Sequence, residues 1–153
     1  MAQLLVESAD GTAISCESYG EGHALLIVSG ALFAARLWKN VVERLSPDRS
    51  VYLMDRRGRG KSEDNPTYAP EREVEDVLAV LRAIPGPIDL LGHSSGAILS
   101  LQVAMRQPDK LERLVAYEPP VFFGERDRIA ADLPERLDAL LDAGDRDAAV
   151  ETF

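Results

Sequence analysis

One stretch constrains this chain more than any other: Gly92-His93-Ser94-Ser95-Gly96 and what flanks it. The turn Pro85-Gly86-Pro87 introduces a short apolar run before it, Ile88-Asp89-Leu90-Leu91. After it, Ala97 to Met105 is apolar and compatible with a helix. The pattern predicts a strand, a tight turn with Ser94 at its apex, then a helix. Gly92 and Gly96 suit such a turn, because neither carries a Cβ to hold strand, helix and ligand apart.

A serine hydroxyl is a poor nucleophile until a base takes its proton and the backbone exposes its oxygen. A sharp strand-to-helix turn accomplishes the second, by pushing Ser94 out beyond the sheet edge. The N–H of Ser95, at the helix start, would then be aimed where an oxyanion forms, with the positive end of the helix dipole behind it. The plainer alternative is a serine in an ordinary strand–helix turn of an α/β protein.

The rest of the chain supplies the matching frame. Gln3–Val6 and Ala13–Tyr19 read as an antiparallel hairpin around Asp10-Gly11. Cys16 shares a strand face with Ile14, so a small buried hydrophobe is its expected role. Ala24–Val28 is a continuous apolar run, the mark of a strand buried on both faces, and it ends at Ser29-Gly30-Ala31. Leu37, Trp38, Val41, Val42 and Leu45 follow at helical spacing. Ser50–Met54 is the next strand and runs into Asp55-Arg56-Arg57-Gly58-Arg59-Gly60-Lys61-Ser62. Glu71–Ile84 predicts an amphipathic helix with Val74, Val77, Leu78, Leu81 and Ile84 on one stripe. Leu111–Tyr117 is the last strand, ending at Glu118-Pro119-Pro120. From Val121 onward the pattern turns to two charge-rich helices, separated by Gly144. Alternating strands and helices imply an α/β fold with a mostly parallel sheet, flanking helices and an antiparallel N-terminal hairpin.

Composition narrows the partners. The 153 residues carry a formal net charge of -9, which argues against nucleic acid or an anionic membrane surface. One cysteine allows neither a disulfide framework nor a thiolate metal cage. No apolar run is long enough to span a membrane, and the start lacks the basic region of a signal peptide, so the expected compartment is the cytoplasm. No motif implies a metal or organic cofactor, and the expected partner is a small-molecule substrate. Gly20-Glu21-Gly22 is no dinucleotide fingerprint, since Leu25 stands where the third glycine belongs. Gly60-Lys61-Ser62 is no phosphate loop, since Asp55 occupies the position of its first glycine. The arginines of that segment, in so acidic a chain, read as a solvated turn.

Together these motifs resemble the N-terminal part of an α/β-hydrolase of the serine type. The resemblance covers the chain from the first hairpin to Pro120. Gly92–Gly96 matches the family's nucleophile motif, and Asp55–Ser62 resembles its D-x-R-G-x-G-x-S turn, a scaffold feature. Ser29-Gly30-Ala31 stands where the family commonly has His-Gly followed by an oxyanion donor. The resemblance implies a partial core over residues 1–120 and the beginning of a helical cap over 121–153. It also implies Ser94 as nucleophile, with the backbone N–H groups of Ala31 and Ser95 as the oxyanion hole. Some relatives, haloalkane dehalogenases among them, carry their acid at the strand end where Glu118 stands, and others one strand later, which makes Glu118 a candidate acid. The alternative is that Glu118 braces its turn or lines the pocket. A serine rather than an aspartate nucleophile favours acyl chemistry on an ester- or carbonyl-containing substrate.

The base is the gap. The family order is serine, acid, histidine, yet both histidines of this chain, His23 and His93, precede Ser94. His93 adjoins the nucleophile and is expected to face away from it, shaping the pocket wall or the turn. His23 belongs to the opposite end of its strand. Two accounts stay open: the front portion of a serine hydrolase with the remainder missing, or a binding module that keeps the turn without the base. The first is favoured, because the Leu111–Tyr117 strand would otherwise be a bare hydrophobic edge, prone to self-association.

Overall fold

Leu25 and Ile27 bury themselves on one face of a sheet, Leu26 and Val28 on the other. All four belong to β3 (His23–Val28) of a computed structural model that describes residues 1–121 and 132–153. The two-sided burial is what a continuous apolar run does when helices cover both faces of a parallel sheet.

The other strands are β1 (Ala2–Glu7), β2 (Ala13–Tyr19), β4 (Arg49–Met54), β5 (Ile88–His93) and β6 (Leu111–Tyr117). Their order across the sheet is β1-β2-β4-β3-β5-β6. The hairpin β1/β2 is antiparallel and joins β4 antiparallel, while β4, β3, β5 and β6 run parallel. The expected α/β sheet with its N-terminal hairpin is therefore present. β6 is an outer strand on which Val115 is half exposed.

Three helices sandwich the sheet. On one face lie α2 (Pro70–Ala83) and α3 (Ser95–Arg106). Val74, Val77, Leu78 and Leu81 of α2 and Leu99 and Val103 of α3 pack there with Ile14, Cys16, Leu26 and Val28. Cys16 is fully buried, and burial, followed by the charges of Asp55 and Glu17, pushes its thiol well above the usual range. On the other face α1 (Lys39–Leu45) brings Val42 against Leu25, Ile27, Val51 and Leu53. The helix expected to include Leu37 is divided: a 3-10 turn, Ala35–Trp38, precedes α1, because the backbone at Trp38 (φ -83°, ψ 0°) leaves the α region.

Met1–Pro120 forms one compact unit and Val121–Phe153 a second. The second contains α4 (Leu133–Asp142) and α5 (Arg146–Thr152), with the Asp145 side chain capping α5 by accepting from the Ala148 N–H at 3.1 Å. Part of the expected cap, residues 122–131, lies outside the described residues. Among the described residues no helix is long and apolar enough to cross a membrane.

Candidate active site

Strand register brings the predicted site residues to one edge. Val28 pairs with both Met54 and Gly92, and His93 pairs with Tyr117, so the four parallel strands end level. Ser29-Gly30-Ala31, Asp55, Ser94 and Glu118 all leave the sheet from these carboxyl ends, the edge at which parallel α/β sheets bind ligands.

At Ser94 the backbone adopts φ 52° and ψ -124°, a conformation most side chains avoid. Two hydrogen bonds of 2.9 Å hold it there: the Ser94 N–H donates to the Tyr117 carbonyl, and the Ser94 carbonyl accepts from the Ala97 N–H. The flanking glycines are required. A Cβ on Gly92 would stand 2.5 Å from Ala97 Cα and from Ser100 Oγ, and one on Gly96 would overlap the carbonyl oxygens of Val28 and Ser29. Ser100 closes the turn, its hydroxyl donating to the Gly96 carbonyl at 2.8 Å. Among the described residues only Ser94 and Glu118 (φ 47°) combine a side chain with positive φ. Backbone strain of this kind concentrates where function demands a fixed geometry.

The loop after β3 lies directly against this turn: a Cβ on Gly30 would be 3.1 Å from both Ser94 Cβ and His93 Nδ1. Among the described residues the Ala31 N–H donates to no backbone acceptor. Ser95 is the first residue of α3, so its N–H has no partner within the helix.

The arginine-rich turn is not solvated. Arg56 and Arg57 are only 6% and 5% exposed. Arg56 donates Nε and Nη2 to the Glu73 carboxylate, which also accepts from the Tyr68 hydroxyl at 2.8 Å. Its Nη1 donates to the Ser29 carbonyl at 3.2 Å and to Ser95 Oγ at 2.9 Å, so one guanidinium ties the loop after β3 to the start of α3. Arg57 donates twice to Asp76, at 2.7 Å each, and to Asp10. Charge composition alone could not show this, because the neutralising carboxylates sit inward on α2, beside its apolar stripe. The overlooked signal was Glu73 and Asp76 flanking Val74 and Val77. Lys61 alone of the four basic residues fits the original expectation, pairing at the surface with Glu17 at 2.8 Å.

His93 forms part of a wall. Its ring stacks on Tyr117 (centroids 5.4 Å apart) and meets the edges of Phe33 (4.8 Å) and Trp38 (5.8 Å). These four aromatic residues, with Leu37, Val41 and Glu118, line a cavity of about 340 Å³. Glu118 is exposed at its rim. His23 opens β3 at the far end of the sheet, where Nε2 is 3.3 Å from Asp89 and 3.6 Å from Glu112. Those three side chains could approach one cation, yet Arg49 at 2.7 Å and Arg113 already neutralise Asp89, so the group is an ion-pair cluster. Burial alone would raise the Asp89 carboxyl; the hydrogen bond from Arg49 and the nearby His23 and Arg113 outweigh that and hold it below the ordinary value.

A family model described as the alpha/beta hydrolase family matches residues 25–152, from within β3 through the turn at Ser94 to the C-terminal helices. This chain belongs to the alpha/beta hydrolase family. A crystal structure of an alpha/beta hydrolase from Sphaerobacter thermophilus superposes with a TM-score of 0.90 at 42% identity, over 98% of this chain and 58% of that one. Among curated relatives, an N-formylmaleamate deformylase of Pseudomonas putida is 35% identical over 81% of this chain and 47% of its own length. A pimeloyl-[acyl-carrier protein] methyl ester esterase of Aeromonas salmonicida is 27% identical over 92% of this chain and 56% of its own. The alpha/beta hydrolase described here thus spans about half the length of the curated relatives it matches.

Proposed function

We propose that this chain carries the nucleophile and oxyanion half of a serine hydrolase that attacks a small ester- or carbonyl-containing substrate. The observation that carries the proposal is Ser94 itself, a strained residue at a strand-to-helix turn, with a loop amide and a helix-start amide beside it. Ser94 Oγ would add to the substrate carbonyl as its proton passes to a base that neither histidine of this chain supplies, and the N–H groups of Ala31 and Ser95 would hold the resulting oxyanion. Collapse of that adduct would expel the leaving group and leave an acyl-enzyme for water to hydrolyse. The names of two relatives, a deformylase and a methyl ester esterase, support hydrolysis at a carbonyl.

Glu118 is the acid in this proposal, one position past Tyr117 and level with the nucleophile. Neither histidine serves as the base: His23 is at the far end of β3, and the His93 ring is packed among Phe33, Trp38 and Tyr117. By itself the chain is therefore catalytically incomplete. Residues 1–120 are read as a partial core and residues 121–153 as the beginning of a helical cap. The protein is expected to be cytoplasmic and to self-associate through β6.

Covalent labelling with a fluorophosphonate, followed by intact mass, tests this on the 153-residue chain and on Ser94→Ala. The expected result is slow labelling that disappears in the variant and accelerates when imidazole is added to replace the missing base. Labelling that persists in Ser94→Ala, or none in either protein with imidazole present, would reject Ser94 as the nucleophile.

A further inference from the structure

We propose that Arg59 is a positioning residue that sets the direction of the Ala31 N–H. This rests on the assignment of that N–H to the oxyanion hole. Arg59 Nη1 donates to the Gly30 carbonyl at 3.2 Å, and the Phe33 N–H donates to the same oxygen at 3.4 Å. The Gly30 carbonyl and the Ala31 N–H belong to one peptide unit. That unit is planar and trans, as are all peptide bonds described. In a trans unit the C=O and N–H point to opposite sides, so holding the oxygen toward Arg59 fixes the hydrogen on the other side. A loop with a glycine at its centre would otherwise turn this plane freely.

Two further observations support the assignment. Arg59 makes no ion pair among the described residues, so none of the described carboxylates holds its guanidinium as Glu73 and Asp76 hold those of Arg56 and Arg57. One unit earlier, Arg56 holds the Ser29 carbonyl in the same manner while bonding Ser95 Oγ. Two arginines of one turn thus grip successive carbonyls of the loop. Of the two, Arg59 can be tested cleanly, because removing Arg56 would strand the buried Glu73 carboxylate.

The test compares the chain with Arg59→Met and Arg59→Lys by NMR, alongside fluorophosphonate labelling. The Gly30 carbonyl ¹³C shift reports the lost hydrogen bond, and the Ala31 N–H residual dipolar coupling reports the direction of the donor. Both are expected to change in Arg59→Met and to return toward the starting values in Arg59→Lys, with the Ser95 amide and the melting temperature unchanged. The maximal labelling rate of Ser94 should fall about tenfold in Arg59→Met, with the probe's half-saturation concentration unaltered. Unchanged Gly30 and Ala31 signals would overturn the proposal. If those signals move but the unmodified chain never labels, orientation by Arg59 stands and the nucleophile assignment fails. If they move and labelling is unaffected, Arg59 orients a peptide that takes no part in the hole, and the positioning role is rejected.

Discussion

The amide of Ser94 donates to the carbonyl of Tyr117 at 2.9 Å, across the carboxyl ends of β5 and β6. The bond joins the two places where, among the described residues, a side chain is held at positive φ, because Glu118 follows Tyr117 directly. Each strained residue is thereby anchored by its neighbour's strand. The sheet supplies the rigidity that an isolated turn would lack.

That strain has a measurable consequence. Replacing Ser94 by glycine relieves a backbone conformation costing roughly 1–3 kcal/mol, against roughly 0.5–1 kcal/mol of added chain entropy in the unfolded state. Ser94→Gly should therefore be more stable than the parent by about 1 kcal/mol, while Ser94→Ala keeps the strain and gains little. Urea midpoints for the three proteins decide the matter, and equal stability of the glycine and alanine variants would contradict it.

The pair Arg57–Asp76 is almost wholly inside the protein, with side chains 2% and 0% exposed. Removing Asp76 leaves the buried Arg57 charge with Asp10 alone, so the loss should approach but not exceed the roughly 3–5 kcal/mol of a fully orphaned buried charge. Asp76→Ala should lose about 2–4 kcal/mol in chemical denaturation. The double change Arg57→Met with Asp76→Leu should lose distinctly less, since both buried charges go together and the Asp10 left behind reaches solvent. A double variant as unstable as the single one would show that the carboxylate does more than neutralise Arg57.

Stability should also fall in acid through Glu73. Burial by itself would raise this carboxyl, but the Arg56 hydrogen bonds and charge, with Tyr68 and Arg59, outweigh it and bring the group below the ordinary 4.5. A group lowered on folding contributes fully above 4.5 and loses that contribution as pH falls through its folded value. Glu73→Gln should be the less stable protein at pH 7, with the gap narrowing on acidification toward pH 3. A gap that stays constant across this range would refute the linkage.

His93 is assigned to the pocket wall, so an aromatic replacement should preserve it. His93→Phe keeps a ring among Phe33, Trp38 and Tyr117 and removes a buried Nδ1 that has no hydrogen-bond partner among the described residues. Fluorophosphonate labelling of Ser94 should stay within about threefold of the parent, far less than the roughly 100-fold or greater loss that removing a general base brings. A loss of that larger size would identify His93 as the base after all.

The sequence by itself determined the elements and the turn at Ser94. Periodicity is local: the alternate burial of Leu25, Leu26, Ile27 and Val28 and the stripe from Val74 to Ile84 are written in consecutive residues. So is the need for glycine at 92, where a Cβ would strike Ala97 and Ser100 of the helix that follows, whereas at 96 the obstacle is the backbone of Val28 and Ser29, brought there by the sheet. The limits of β2 and β6 were legible for the same reason.

Only the tertiary structure decided the state of Arg56, Arg57 and Arg59. Their charges pointed to water until Glu73 and Asp76, on a helix that begins many residues later, were folded over them. A charge goes inside when its partner meets it there. That meeting depends on how α2 crosses the sheet: the spacing of Glu73 and Asp76 beside Val74 and Val77 marks inward carboxylates, but not the cations they meet. The same crossing places one arginine against Ser29 and Ser95 and another against Gly30. Local sequence shapes the turn that carries Ser94, and long-range packing holds the loop beside it.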